Sequence, residues 1–135
     1  MKFKKTYSWH KIKTAKEALL WSIAKWHLLY KEGFIISIGS STCACCSLYA
    51  TKRSNYNCEN CPVERYTALP DCIDTPFEQA DCAIAAQGEA NYIKKCIKYE
   101  RDFLIKVYNK YFDKFIIKEF ENGPYNGMKQ HLLLK

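Results

Sequence analysis

Turn formers are scarce in this sequence, with five glycines and four prolines in 135 residues. That argues against a sandwich or barrel of many short strands, which needs Gly/Pro-rich turns throughout. No run approaches the ~18 consecutive apolar residues of a membrane span, so no membrane partner is expected. Ala18-Leu19-Leu20-Trp21 follows a lysine-rich start, but Lys25, His27 and Lys31 interrupt the apolar stretch and no small-residue cleavage site follows. A secretory signal is therefore not expected, and the chain reads as cytoplasmic. A glycine-rich phosphate loop, a nucleophile elbow and an HExxH pair are all missing, so the signatures of nucleotide-driven, serine-nucleophile and metalloprotease chemistry are absent and the reading is non-enzymatic. Carboxylates are nearly absent at the start, where Glu17 is the one acid against eight lysines in residues 1–31.

What is present describes one ordered domain. Apolar residues make up 48 % and aromatics 15 %, too much for disorder, and the length suits a single core. The fold class expected is mainly α, with a first helix, a short β/loop module stapled by metal, and long C-terminal helices packing back on it.

The boundaries follow from local chemistry. Thr14-Ala15-Lys16-Glu17 fits a capping box and predicts a helix over 14–31, with Gly33 as its stop. Ala15, Leu19, Ile23, Trp26 and Tyr30 share one face of it, and Trp21, Ala24 and Leu28 lie roughly opposite. Such a helix is sandwiched between other elements or offers the side of Trp21 and Leu28 to a partner. Phe34-Ile35-Ile36-Ser37-Ile38 is a short strand-like run. Residues 39–74 form a cysteine-rich module whose composition reads as loop. Thr75-Pro76-Phe77-Glu78 is a second capping box with proline at the first helical position, and it opens a helical region over 76–120 with a break near Gly88. The long stretch from Glu89 to about Phe120 carries the stripe Ile93, Ile97, Leu104, Tyr108, Tyr111 and Phe115, at the spacing of a core-facing helix.

Eight cysteines in so short a chain supply the strongest chemical signal. Cys43-x2-Cys46 and Cys58-x2-Cys61 are separated by eleven residues. Each CxxC turn lets two thiolates converge on one ion, and two such turns complete a tetrahedral shell with Zn–S near ~2.3 Å. In a reducing compartment such pairs bind metal rather than form disulfides. Structural zinc is the first expectation, and an iron–sulfur cluster is the alternative, since Cys61 is followed by Pro62. Neither pair carries the glycine of a zinc knuckle, Cys45 adds a third thiol, and Cys72 is the substitute ligand. Cys82 and Cys96 sit in helical patterns and read as small buried apolar residues. His27, beside the inner face of the first helix, reads as a packed histidine rather than a ligand. A thiol–disulfide oxidoreductase would need a sheet that the sequence does not offer.

The long helix has a second row: Tyr92, Lys95, Tyr99, Phe103, Lys106 and Lys110. Aromatics interleaved with lysines could stack bases and neutralise phosphates, or form a protein contact with lysines at its edge. The region around the CxxC pairs has net acid: residues 33–88 hold three basic and six acidic side chains. A zinc module that itself grips phosphate carries the opposite charge. A protein partner is therefore the first expectation and nucleic acid the alternative.

One resemblance rests on the cysteine module. Gly39-Ser40, Cys43-Ala44-Cys45-Cys46-Ser47-Leu48-Tyr49, Cys58-Glu59-Asn60-Cys61-Pro62-Val63 and Cys72-Ile73-Asp74-Thr75-Pro76-Phe77 resemble a group of small cysteine-rich accessory proteins of tailed bacteriophages. The likeness covers roughly residues 39–77. It implies a phage origin, hence the cytoplasm of an infected bacterium, and it implies that Cys72 belongs with Cys43, Cys46, Cys58 and Cys61. That group brings no assigned function with it.

Overall fold

A computed structural model describes residues 12–33, 61–68 and 75–132, and the first helix begins where the cap requires. The Thr14 hydroxyl accepts from the Glu17 N–H at 3.2 Å and donates to the Glu17 carboxylate at 3.1 Å. Helix α1 (Ala15–Glu32) follows and ends at Gly33, whose φ of +89° is freely open only to glycine and whose N–H donates to the Leu29 carbonyl. Every residue from Ser22 to Leu29 is buried. The helix is thus enclosed rather than laid on a surface, as its apolar character on two sides allows.

Five further helices complete the described fold: α2 (Pro62–Thr67), α3 (Pro76–Ala85), α4 (Ala90–Tyr111), α5 (Ile117–Glu121) and α6 (Pro124–Leu132). About 79 % of the described residues are helical and none of them is in a strand, so the protein is mainly α. The strand expected at Phe34–Ile38 lies outside the described residues, as does most of the cysteine module. The piece of that module that is described, 61–68, is not loop. Pro62 opens α2, a start signal that the irregular composition around it masks.

Helix α4 is the hub, packing against α1, α2 and α3. Its Cys96, Ile97, Leu104, Val107 and Tyr108 are buried, while Ile93 and Tyr111 are half-buried, so the stripe read from periodicity turns inward. Thr75 caps α3 by accepting from the Phe77 N–H at 3.3 Å. Phe77 then meets Trp26 of α1 edge to face at 6.1 Å. The α3 end is a left-handed reversal: Gln87 has φ +52°, its N–H donates to Ile84 and that of Gly88 to Ala83, the paired bonds of a Schellman cap. The break expected near Gly88 is therefore made one residue earlier, by Gln87.

Two expectations are corrected here. The helix predicted to reach Phe120 ends at Tyr111, where Phe112 leaves helical geometry (φ −130°, ψ −120°). The Asn109 side chain draws the chain back by accepting from the Phe115 N–H at 2.7 Å. The bend lets Tyr108, Phe115, Phe120 and Tyr125 stack in series, with centroids 4.9 to 5.7 Å apart. A straight helix would carry Phe120 away from Tyr125. Aromatic contacts of this kind add about 0.5–1.5 kcal/mol each beyond their buried area. The second correction concerns the partner-facing side of α1. Leu28 is 1 % exposed and Trp21 is half-buried against the core, so Leu28 is withdrawn from any contact face. Helix α6 is built from the tail beyond Gly123. It packs on α1 and brings His131 to 6.4 Å from the Trp21 ring.

Candidate functional site

The five proposed metal ligands fall unevenly on the structure. Cys61 is buried and immediately precedes α2, its carbonyl accepting from the Arg65 N–H at 3.0 Å. Cys43, Cys46, Cys58 and Cys72 lie outside the described residues. Among the described residues no group of three or more His, Cys, Asp or Glu is placed to hold a metal ion. Through α2, Cys61 is nonetheless tied to the hub helix: Tyr66 meets Phe103 edge to face at 5.6 Å, and the Arg65 guanidinium lies 4.9 Å from the Tyr111 ring.

The outer row of α4 stands beside α2. Tyr92, Lys95, Tyr99, Lys106 and Lys110 are exposed, whereas Phe103 is half-buried beneath Tyr66. The Lys95 ammonium lies 5.7 Å from the Tyr99 ring. Asp102, on the edge of the row, accepts from Arg101 and from Lys98 at 3.0 to 3.2 Å, so its charge is matched within the fold. The sequence reading missed Tyr66 and Arg65 as members of this face. The signal that could have found them is Cys61-Pro62, which reads as helix start as readily as cluster ligand.

Cys82 and Cys96 divide. Cys96 is buried in α4 as expected, but Cys82 is exposed on α3. It lines an open groove of about 460 Å³ together with Glu78, Gln79, Ala83, Ala86, Gly88 and Tyr92. The Cys96 side chain, through hydrogen bonding first and charge second, pushes the Tyr92 phenol above its ordinary pKa.

His27 is packed, as expected, but its polar company is not visible from periodicity. It is 2 % exposed. Arg101 reaches its Nδ1 at 3.1 Å, and since guanidinium only donates, Nδ1 must accept and the proton sits on Nε2. Nε2 lies 2.7 Å from the Glu121 carboxylate, close but out of line for a hydrogen bond. The Tyr125 ring stands edge-on at 4.9 Å. Burial, and then the Arg101 charge, hold the imidazole below its ordinary pKa against the pull of Glu121. Burial also pushes the Tyr125 phenol up to about 12, aided by Glu32 and Glu121. The cluster ties α1, α4, α5 and α6 together through His27, Arg101, Glu121 and Tyr125.

Among the described residues no helix is long and apolar enough to cross a membrane. No protein-family model matches the chain, and no curated protein or solved structure matches it.

Proposed function

We propose that this chain is a small metal-stabilised binding protein that works by protein contact, with zinc held by Cys43, Cys46, Cys58 and Cys61 and with Cys72 as the substitute ligand. The resemblance of the cysteine module adds the setting, an accessory role in a tailed phage. The observation that carries the reading is the path from Cys61 through α2 to the outer row of α4. A metal at Cys61 would fasten α2, which touches this row at Phe103. Zinc supplies rigidity here, crosslinking a segment with little apolar content of its own.

Elemental analysis of anaerobically purified protein, with an absorption spectrum of the same sample, tests the metal. About one zinc per chain without visible absorption is the expected result, and Cys58→Ser should abolish stoichiometric metal or unfold the module. Iron with sulfide and absorption near ~400 nm would replace the staple with a cluster. Full metal content and stability in Cys58→Ser would remove that residue from the ligand set. A second reading, nucleic-acid binding, is favoured by the exposed Lys95, Lys106 and Lys110 beside Tyr92 and Tyr99. Retention on single-stranded DNA that weakens steeply with salt would support it.

A further inference from the structure

Four large apolar side chains stand exposed among the described residues. Three of them, Tyr66 (40 %), Tyr92 (54 %) and Tyr99 (45 %), belong to α2 and the outer row of α4. Phe103, one turn beyond Tyr99, packs against Tyr66, so α2 widens a single-helix row into a patch two helices across. The surrounding charge is unbalanced. Lys16, Lys31, Lys98 and Lys129 each meet a carboxylate of the fold. Lys106 and Lys110, exposed on the patch, make no ion pair among the described residues. Asp102, on the edge of the row, is already matched by Arg101 and Lys98.

We infer that this two-helix face, centred on Tyr66, Tyr99 and Phe103 and rimmed by Lys95, Lys106 and Lys110, docks an acidic segment of a partner protein. The inference rests on the protein-contact reading above and names the partner's chemistry. An aromatic centre with charge at the rim is the layout of a protein interface, in which tyrosines carry a disproportionate share of the energy. Unmatched rim lysines select carboxylates and speed encounter. The same rings suit nucleic acid less well. Stacking needs free ring faces, and Lys95 lies over Tyr99 while Tyr66 packs against Phe103. Phenol hydroxyls and ammonium groups are hydrogen-bond donors that carboxylates satisfy directly.

Fluorescence anisotropy of three labelled probes against the intact protein tests this. One probe is a short peptide of glutamate and leucine, one a peptide of the same pattern with lysine for glutamate, and one an oligothymidylate. The glutamate peptide should bind, and more weakly as salt rises. The double variant Lys106→Glu/Lys110→Glu should weaken it by at least about tenfold. Tyr66→Ser and Tyr99→Ser, each checked for unchanged circular dichroism, should each weaken it several-fold. If all these variants bind the glutamate peptide like the parent, or the parent does not bind it, the inference is overturned. Preference for the lysine peptide also overturns it while leaving protein contact standing. Preference for oligothymidylate, lost in the lysine double variant, overturns both.

Discussion

His27 sits between a permanent cation and a carboxylate with almost no exposure to water, and that placement sets a pH dependence. Its folded pKa lies below the ordinary 6.5, with burial as the leading cause. The unfolded chain therefore takes up the proton first as pH falls. Stability should be level above the unfolded value and decline as pH drops through 6.5 toward the lower folded value. Below the folded value the decline stops. Chemical denaturation at steps from neutral to mildly acidic pH measures this. His27→Gln can keep an acceptor for Arg101 without titrating. It should cost about 1 kcal/mol at neutral pH and flatten the acid slope. An unchanged slope in that variant would assign the acid sensitivity elsewhere. The sequence shows that His27 lies near an inner helical face. It does not show Arg101 or Glu121 beside it, because those partners lie far along the chain and meet it only after packing.

At the scale of elements, local chemistry and tertiary packing divided the work visibly. The two helix starts were legible because a cap is an interaction across a few residues: Thr14 accepts from the Glu17 N–H as a capping box requires, whereas Thr75 caps one residue earlier, from the Phe77 N–H. Helix α2 was not legible, since six residues flanked by cysteine and polar side chains carry no periodicity. The end of α4 was not legible either. Residues 112–120 have helical character, and the bend is favoured by the Asn109 bond from the Phe115 N–H and by the aromatic series from Tyr108 to Tyr125. The α3 reversal supplies a direct test. Gln87 holds a left-handed conformation that costs a residue with a Cβ about 1–2 kcal/mol. Gln87→Gly should raise stability by about 0.5–1 kcal/mol after the added freedom of the unfolded chain is counted. A loss in thermal or urea denaturation would mean that the Gln87 side chain makes a contribution larger than the strain.

For the whole molecule, burial separates the two sides once offered to a partner. Leu28 belongs to the core, so Leu28→Ala should cost about 2–5 kcal/mol in urea denaturation. Lys106→Ala, on the exposed row, should stay within about 0.5 kcal/mol of the parent. Comparable losses in the two would contradict the assignment of core and surface. The sequence by itself determined the mainly helical class, the starts of α1 and α3 and the inward stripe of α4, because caps and periodicity act between residues a turn or less apart. It also determined which side chains could form an aromatic and lysine row. Only the tertiary structure decided that α6 closes over α1 and that α4 stops at Tyr111. It likewise decided that Tyr66 joins the row and that His27 lies between Arg101 and Glu121. Each of those outcomes depends on burying surface between segments distant in the chain, a gain that no local pattern encodes.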